Sequence, residues 1–297
     1  MLPVPFIVGV GRSGTTLLRS ILDAHSELAV VHESRFVAWM ARHRGRYEGG
    51  SGFDEARFLA DLLDEGSPCP SRLHSWDVAP GVVRAAVSAG RPADLAAAIR
   101  LVFRSYAGAQ GKPRYGDKTP GYVRFLPAVG ALLPEARFVH LVRDGRDVAL
   151  SMLDVDFGGV NVAHAAWMWA SRLQAAETAG RGLGPNRYLR VRYEDLVDAP
   201  EAEMGRICDF LTLEAEPAML RHHERSDVVA RDLGTQPHHD HARLPVTAGL
   251  RDWRAQMRPA DVVSFETVAG PLLTELGYEV TSAAGGGGRA LGRRVVT

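Results

Sequence analysis

Two segments of this chain bring glycines, hydroxyls and arginines to points where a strand gives way to a helix. The first is Gly9-Val10-Gly11-Arg12-Ser13-Gly14-Thr15-Thr16. It follows an apolar run, Pro5 to Gly9, and opens a helical stretch from Ser13 to His25 with Leu17, Leu18, Ile21 and Leu22 on one stripe. Glycines let the backbone turn tightly and aim its N–H groups at an anion. The helix N-terminus adds partial positive charge at the same point. Arg12, Ser13, Gly14, Thr15 and Thr16 are therefore candidates for holding a phosphate. Against the G-x-x-x-x-G-K-[ST] pattern, Gly9, Gly14 and Thr16 match, but Thr15 stands where the lysine belongs. The loop's own cation is Arg12. A plain glycine turn and an NTP-binding variant stay open at this point.

The second segment is Val142-Arg143-Asp144-Gly145-Arg146-Asp147-Val148-Ala149-Leu150-Ser151. Arg143 ends a strand read over Arg137 to Val142, and open α/β sheets bind ligands at that edge. The planar guanidinium donates paired hydrogen bonds to phosphate. Ser151 lies eight residues on (151 − 143 = 8). That is about two helical turns, which returns it to the same face. Taken alone, the charges at 143, 144, 146 and 147 also fit a solvated ion-pair network.

Two further groups suit proton and charge transfer. Val31-His32-Glu33-Ser34-Arg35 follows a second strand, Leu28 to Val31, and offers an imidazole and a carboxylate as general base. Neighbouring extended residues point opposite ways, so only one of them serves. Lys118, in Tyr115-Gly116-Asp117-Lys118-Thr119-Pro120, precedes a proline-started helix and is placed for an anion at that helix end. The alternative is a surface lysine held by Asp117. His238-His239-Asp240-His241 is a weak metal pattern, because adjacent residues seldom converge on one ion. No metal is expected.

These groups need elements to carry them. Strands at Pro5 to Gly9, Leu28 to Val31, Arg137 to Val142 and Tyr188 to Arg192 alternate with helices at Ala93 to Arg104, Tyr122 to Leu133, Asp144 to Met152, Val162 to Ala179, Glu201 to Leu211 and Pro259 to Leu276. Alternation of this kind predicts an α/β fold, a P-loop-like parallel sheet flanked by helices on both faces, with a helical insert at about 38–110. Residues 1–282 read as one domain and 283–297 as a flexible Gly/Arg tail. Residues 226–250 read as a long loop. The 297 residues carry Lys+Arg 35 against Asp+Glu 35, which argues against nucleic acid or an anionic membrane as partner. The two cysteines, Cys69 and Cys208, lie far apart and fit a reducing compartment. No apolar run has the length of a membrane span, so a cytoplasmic location is expected.

The run Arg12 to Leu18 resembles the 5′-phosphosulfate loop of sulfotransferases that use 3′-phosphoadenosine 5′-phosphosulfate (PAPS). Arg143 with Ser151 resembles that family's 3′-phosphate motif. Arg192-Tyr193-Glu194-Asp195-Leu196 looks like its segment after the late strand, which implies that Tyr193 contacts the nucleotide. Coverage is roughly residues 4–280, loosest over the insert. The spacing is most similar to the tyrosylprotein sulfotransferases, whose glutamate base follows the loop arginine by 21 positions, as here (33 − 12 = 21). The resemblance implies Glu33 as base in preference to His32, with Arg35 in an arginine position of the family. It implies Lys118 and Arg12 at the transferring sulfonate, and Arg243 closing over the nucleotide. The implied protein is an enzyme that moves a sulfuryl group from PAPS, its co-substrate, to a hydroxyl. Lacking that branch's membrane anchor and secretory signals, the chain is expected to use a small-molecule acceptor, with a homodimer left open.

Overall fold

A computed structural model of the chain describes residues 1–50, 52–154, 161–224, 245–247 and 251–281. It contains two compact units, residues 1–143 with 172–250, and residues 144–171 with 251–297.

The first unit begins with β1 (Val4–Gly9), α1 (Thr15–Asp23), β2 (Leu28–His32) and α2 (Phe36–Arg42). The insert follows: a short hairpin of β3 (Glu48–Gly49) and β4 (Gly52–Phe53), then α3 (Glu55–Leu63), α4 (Pro80–Gly90) and α5 (Leu95–Ala109). Asp54 and Asp94 start α3 and α5 by accepting from the backbone N–H of Arg57 and Ala97. The chain returns as β5 (Arg114–Lys118), a 3₁₀ helix at Pro120–Arg124, α6 (Leu126–Leu132) and β6 (Ala136–Val142). The second unit holds α7 (Gly145–Leu153), and α8 (Val162–Leu183) starts there and runs back into the first. β7 (Tyr188–Arg192), α9 (Tyr193–Asp198) and α10 (Pro200–Leu211) complete the first unit's main elements.

Five strands form one parallel sheet in the order β2-β5-β1-β6-β7. β1 and β6 inside the sheet, and β2 at its edge, each bury both faces. Along β1, Phe6 and Val8 enter one hydrophobic core and Ile7 the other. Ala29 and Val31 of β2 likewise oppose Leu28 and Val30, and Phe138 of β6 opposes Val139 and Leu141. The insert helices, α6 and Ala176 of α8 line the first core; α1, α9 and α10 line the second. The sheet with helices on both faces and a helical insert is the architecture expected.

One strand of the main sheet was not legible, nor was the short β3–β4 hairpin of the insert. Nothing in Arg-Tyr-Gly-Asp-Lys has an apolar run, yet β5 lies between β2 and β1. Its neighbours impose the burial. Gly116 makes room for the Pro5 ring, because a Cβ there would stand 2.7 Å from Pro5 Cγ. Arg114 is buried by donating to the carbonyls of Pro3, Leu211 and Thr212. The helix expected over 122–133 divides into the 3₁₀ segment and α6.

The second unit is held by a buried charge cluster. Arg146 donates to Asp144 and Glu266 and lies 3.6 Å over the Trp253 ring. Asp147 accepts from the Trp253 N–H. Arg231, His238, His239, His241, Arg243 and the 283–297 tail lie outside the described residues.

Candidate active site

Because the five strands are parallel, their carboxyl ends share one edge of the sheet, where open α/β folds bind ligands. Each strand delivers a candidate residue there. β1 runs into the loop of Arg12 to Thr16, β2 into Glu33, β5 ends on Lys118, β6 leads to Arg143 and β7 to Tyr193.

The loop after β1 is built around two left-handed residues, Arg12 (φ 74°) and Gly14 (φ 89°). Ser13 N–H donates to Val10 carbonyl at 3.2 Å and closes the turn. The Ser13 hydroxyl is buried and has no hydrogen-bond partner among the described residues. An orphaned hydroxyl at a helix N-terminus fits an oxyanion. Gly9 permits the close approach of the loop to β6, since a Cβ there would stand 2.7 Å from Leu141 carbonyl oxygen. The same Cβ would meet the Thr15 methyl at 3.3 Å, so Thr15 faces the sheet with its side chain.

Glu33 and Lys118 come together. The Glu33 N–H donates to Lys118 carbonyl at 2.8 Å, and the Lys118 ammonium lies 3.5 Å from Glu33 Oε1. Arg35 donates to Glu33 Oε2 through Nε at 2.9 Å and through a terminal nitrogen at 2.6 Å. Burial by itself would raise the Glu33 carboxyl, but the Lys118 and Arg35 charges outweigh it and hold the group below its usual 4.5. Burial, helped by the like charge of Arg19, brings Lys118 down to about 8 against the opposing pull of Glu33. His32 pairs in register with Lys118, and its carbonyl accepts from the Trp76 indole at 3.3 Å. A carboxylate that is ionised at neutral pH beside a buried lysine can take a proton while the lysine meets developing negative charge.

Arg143 and Tyr193 also meet. The Arg143 guanidinium lies 4.4 Å over the Tyr193 ring. The same ring covers Gly14, where a Cβ would stand 2.5 Å from Tyr193 Cδ2. Tyr193 thus joins the phosphate loop to the arginine of the second motif. Ser151 is buried on α7 in the other unit.

The sequence reading missed Ser34, Tyr122, Asp117 and Arg19 as participants. Asp117 was read only as a holder of Lys118, but its Oδ2 accepts from Ser34 N–H at 3.2 Å. Ser34 Oγ and Tyr122 Oη are 2.8 Å apart. Arg19 is buried and donates through Nε to Val30 carbonyl at 2.8 Å. An arginine inside the apolar stripe of α1 was the available signal for the last.

A family model described as Sulfotransferase family matches residues 3–217. Protein-tyrosine sulfotransferase A of Caenorhabditis elegans is 27% identical over 287 residues, covering 93% of this chain and 67% of that protein. Human protein-tyrosine sulfotransferase 1 is 26% identical over 293 residues, covering 94% and 70%. In fold, the chain is similar to the sulfotransferase domain of the Synechococcus PCC 7002 olefin synthase, with TM-score 0.62 and 23% identity over 94% of this chain and 96% of that one. The sulfotransferase domain from the curacin biosynthetic pathway gives TM-score 0.59 and 21% identity over 95% and 99%.

The expected cytoplasmic location is corrected by these relatives, since protein-tyrosine sulfotransferases are Golgi membrane enzymes. No described helix is long and apolar enough to cross a membrane. With the family model spanning most of the chain, and a candidate residue at the carboxyl end of each of the five strands, this protein belongs to the sulfotransferase family and is an enzyme.

Proposed function

We propose that the enzyme transfers the sulfuryl group of PAPS to the phenolic hydroxyl of a protein tyrosine. The observation that carries the chemistry is the Glu33 carboxylate 3.5 Å from the buried Lys118 ammonium, on the sheet edge that also bears the phosphate loop. The acceptor rests on the relatives, which are named protein-tyrosine sulfotransferases. That reading replaces the small-molecule hydroxyl expected from the sequence.

The residues present fit the nucleotide. The buried Ser13 hydroxyl, the left-handed turn at Arg12 and Gly14 and the N–H groups of Thr15 and Thr16 suit the 5′-phosphosulfate. Arg143, held against Tyr193, suits the 3′-phosphate. When bound, PAPS supplies a sulfuryl group on a phosphate that leaves readily.

Glu33 accepts the proton of the acceptor hydroxyl as its oxygen bonds to sulfur. Lys118 and Arg12 balance the charge on the sulfonate and on the phosphate oxygen that keeps the electron pair of the broken S–O bond. The products are a sulfate ester and adenosine 3′,5′-bisphosphate, with the proton on Glu33. Arg35 keeps Glu33 ionised before the acceptor binds. The test is incubation with PAPS and either a Glu–Tyr copolymer or a panel of sugars and simple phenols, with sulfated products read by mass spectrometry. Sulfation of copolymer tyrosine is expected. Sulfation confined to the small molecules would overturn the acceptor assignment.

A further inference from the structure

Glu33 and Arg35 both occupy the left-handed region, at φ 44° and 58°, although neither is glycine. A backbone of this kind is sparsely populated and persists only where surrounding contacts fix it. The residue between them, Ser34, is fully buried. Each of its polar groups is engaged. Its N–H donates to Asp117 Oδ2 at 3.2 Å. Its hydroxyl lies 2.8 Å from Tyr122 Oη, which also accepts from Val37 N–H at 2.9 Å. Its carbonyl accepts from Phe36 N–H at 2.7 Å and Arg72 N–H at 3.3 Å. The ties come from β5, from the 3₁₀ helix after it and from the insert.

We propose that Ser34, Asp117 and Tyr122 form a positioning clamp that holds Glu33 and Arg35 in their strained turn and so aims the Glu33 carboxylate at the acceptor hydroxyl. The proposal rests on Glu33 being the base. The clamp residues themselves touch no substrate in this scheme; they act through Glu33. Released from Ser34, the turn relaxes to ordinary backbone angles, and the carboxylate swings away from Lys118.

The clamp has a titratable member. Asp117 is wholly buried, and burial pushes its carboxyl up from 3.8 to about 6, against the hydrogen bonds of Ser34 and Thr119 and the charge of Lys118. Of the titratable groups facing it, Lys118 keeps its proton below about 8, and Tyr122 stays protonated because burial raises it well above 10.0. Glu33 titrates below 4.5. As pH falls, Asp117 therefore takes up its proton first and loosens its hold on the Ser34 N–H. The acid limb of kcat belongs near pH 6, above the range set by Glu33 itself.

The experiment measures transfer from PAPS to a Glu–Tyr copolymer, with adenosine 3′,5′-bisphosphate affinity by calorimetry as a control on folding. Ser34→Ala and Tyr122→Phe are expected to lower kcat by about tenfold to a hundredfold, the scale of a misplaced catalytic group, with nucleotide affinity held. Amide exchange at residues 33–37 is expected to quicken in both variants. Asp117→Asn keeps an acceptor oxygen for Ser34 and removes the titration, so its acid limb is expected to move below pH 4.5, toward the Glu33 range. Unchanged kcat in Ser34→Ala and Tyr122→Phe, or an acid limb unmoved in Asp117→Asn, would overturn the clamp. A parallel Glu33→Gln variant separates the two readings. If it retains turnover, the base assignment fails; if it is crippled while the clamp variants are normal, the clamp alone fails. Should Asp117→Asn not fold, the other two variants decide the matter.

Discussion

Gly14→Ala tests whether the phosphate loop, Tyr193 and Arg143 act as one body. Two costs add at this position. A left-handed alanine at φ 89° costs roughly 1–2 kcal/mol. The new methyl would also lie 2.5 and 2.6 Å from Tyr193 Cδ2 and Cε2. Carbon atoms rest at about 3.5–4.0 Å, so the ring must retreat by about 1 Å. Tyr193 is buried and carries Arg143 on its face, which resists that retreat. Overpacking of this kind costs about 1–3 kcal/mol. The total expected loss is about 2–5 kcal/mol, read by urea unfolding.

Displacing the ring also displaces the guanidinium stacked on it, so affinity for adenosine 3′,5′-bisphosphate is expected to fall by at least about tenfold in calorimetry. A double-mutant cycle isolates the contact. In a Tyr193→Ala background the clash is absent, and Gly14→Ala retains only its backbone cost. The cycle should therefore show a coupling of about 1–3 kcal/mol in stability. An equal cost in both backgrounds, or Gly14→Ala with native stability and affinity, would refute the linkage.

Other outcomes follow from the same edge of the sheet. Glu33→Gln keeps size and removes the proton acceptor, so turnover should fall by roughly 10²–10⁴ while nucleotide still binds in calorimetry. Arg143→Ala should weaken adenosine 3′,5′-bisphosphate by on the order of 2–5 kcal/mol and spare the 3′-dephosphorylated analogue; equal loss for both would remove Arg143 from the 3′ site. Lys118 binds its proton less tightly when folded (about 8) than its ordinary 10.5. The unfolded chain then binds more protons between those values, so its contribution to stability rises with pH across that window. The stability difference between the native protein and Lys118→Met, followed by urea unfolding from pH 7 to 10.5, should show that rise; a flat difference would place Lys118 in water.

What the sequence made legible depends on how local the physics is. A candidate phosphate loop carries its glycines, hydroxyls and arginine within a few residues of one strand end, so Gly9 to Thr16, and Arg143 at the end of another strand, could be put forward from local sequence alone. The strands with apolar runs were found for a similar reason, because both of their faces are buried. β5 could not be, since its burial is made by Pro5 against Gly116 and by carbonyls that receive Arg114. The support beneath Glu33 is equally non-local, because Ser34 is 83 residues from Asp117 and 88 from Tyr122. Glu33 itself was reached by likeness of spacing to known enzymes, and nothing in its neighbours announced the lysine beside it.

The backbone supplies an independent argument for where the work is done. Among the described residues, five other than glycine have positive φ: Arg12, Glu33, Arg35, Arg91 and Thr212. Arg91 and Thr212 are C-caps of α4 and α10, where a left-handed residue is the ordinary way to end a helix. Arg12 and Glu33 cap no helix, and Arg35 is the N-cap of α2, a position where the backbone is ordinarily extended, so helix capping does not account for the three. All three stand where β1 and β2 leave the sheet, and each is a residue to which the proposed reaction gives a charge-bearing task. Strain of order 1–3 kcal/mol at each such site survives only if the surroundings over-determine it. Here the surroundings are the buried Ser13 turn on one side and the Ser34 contacts on the other. The fold thus spends stability to hold side chains before substrate arrives, which is what electrostatic pre-organisation requires of a transfer that moves negative charge between two oxygens.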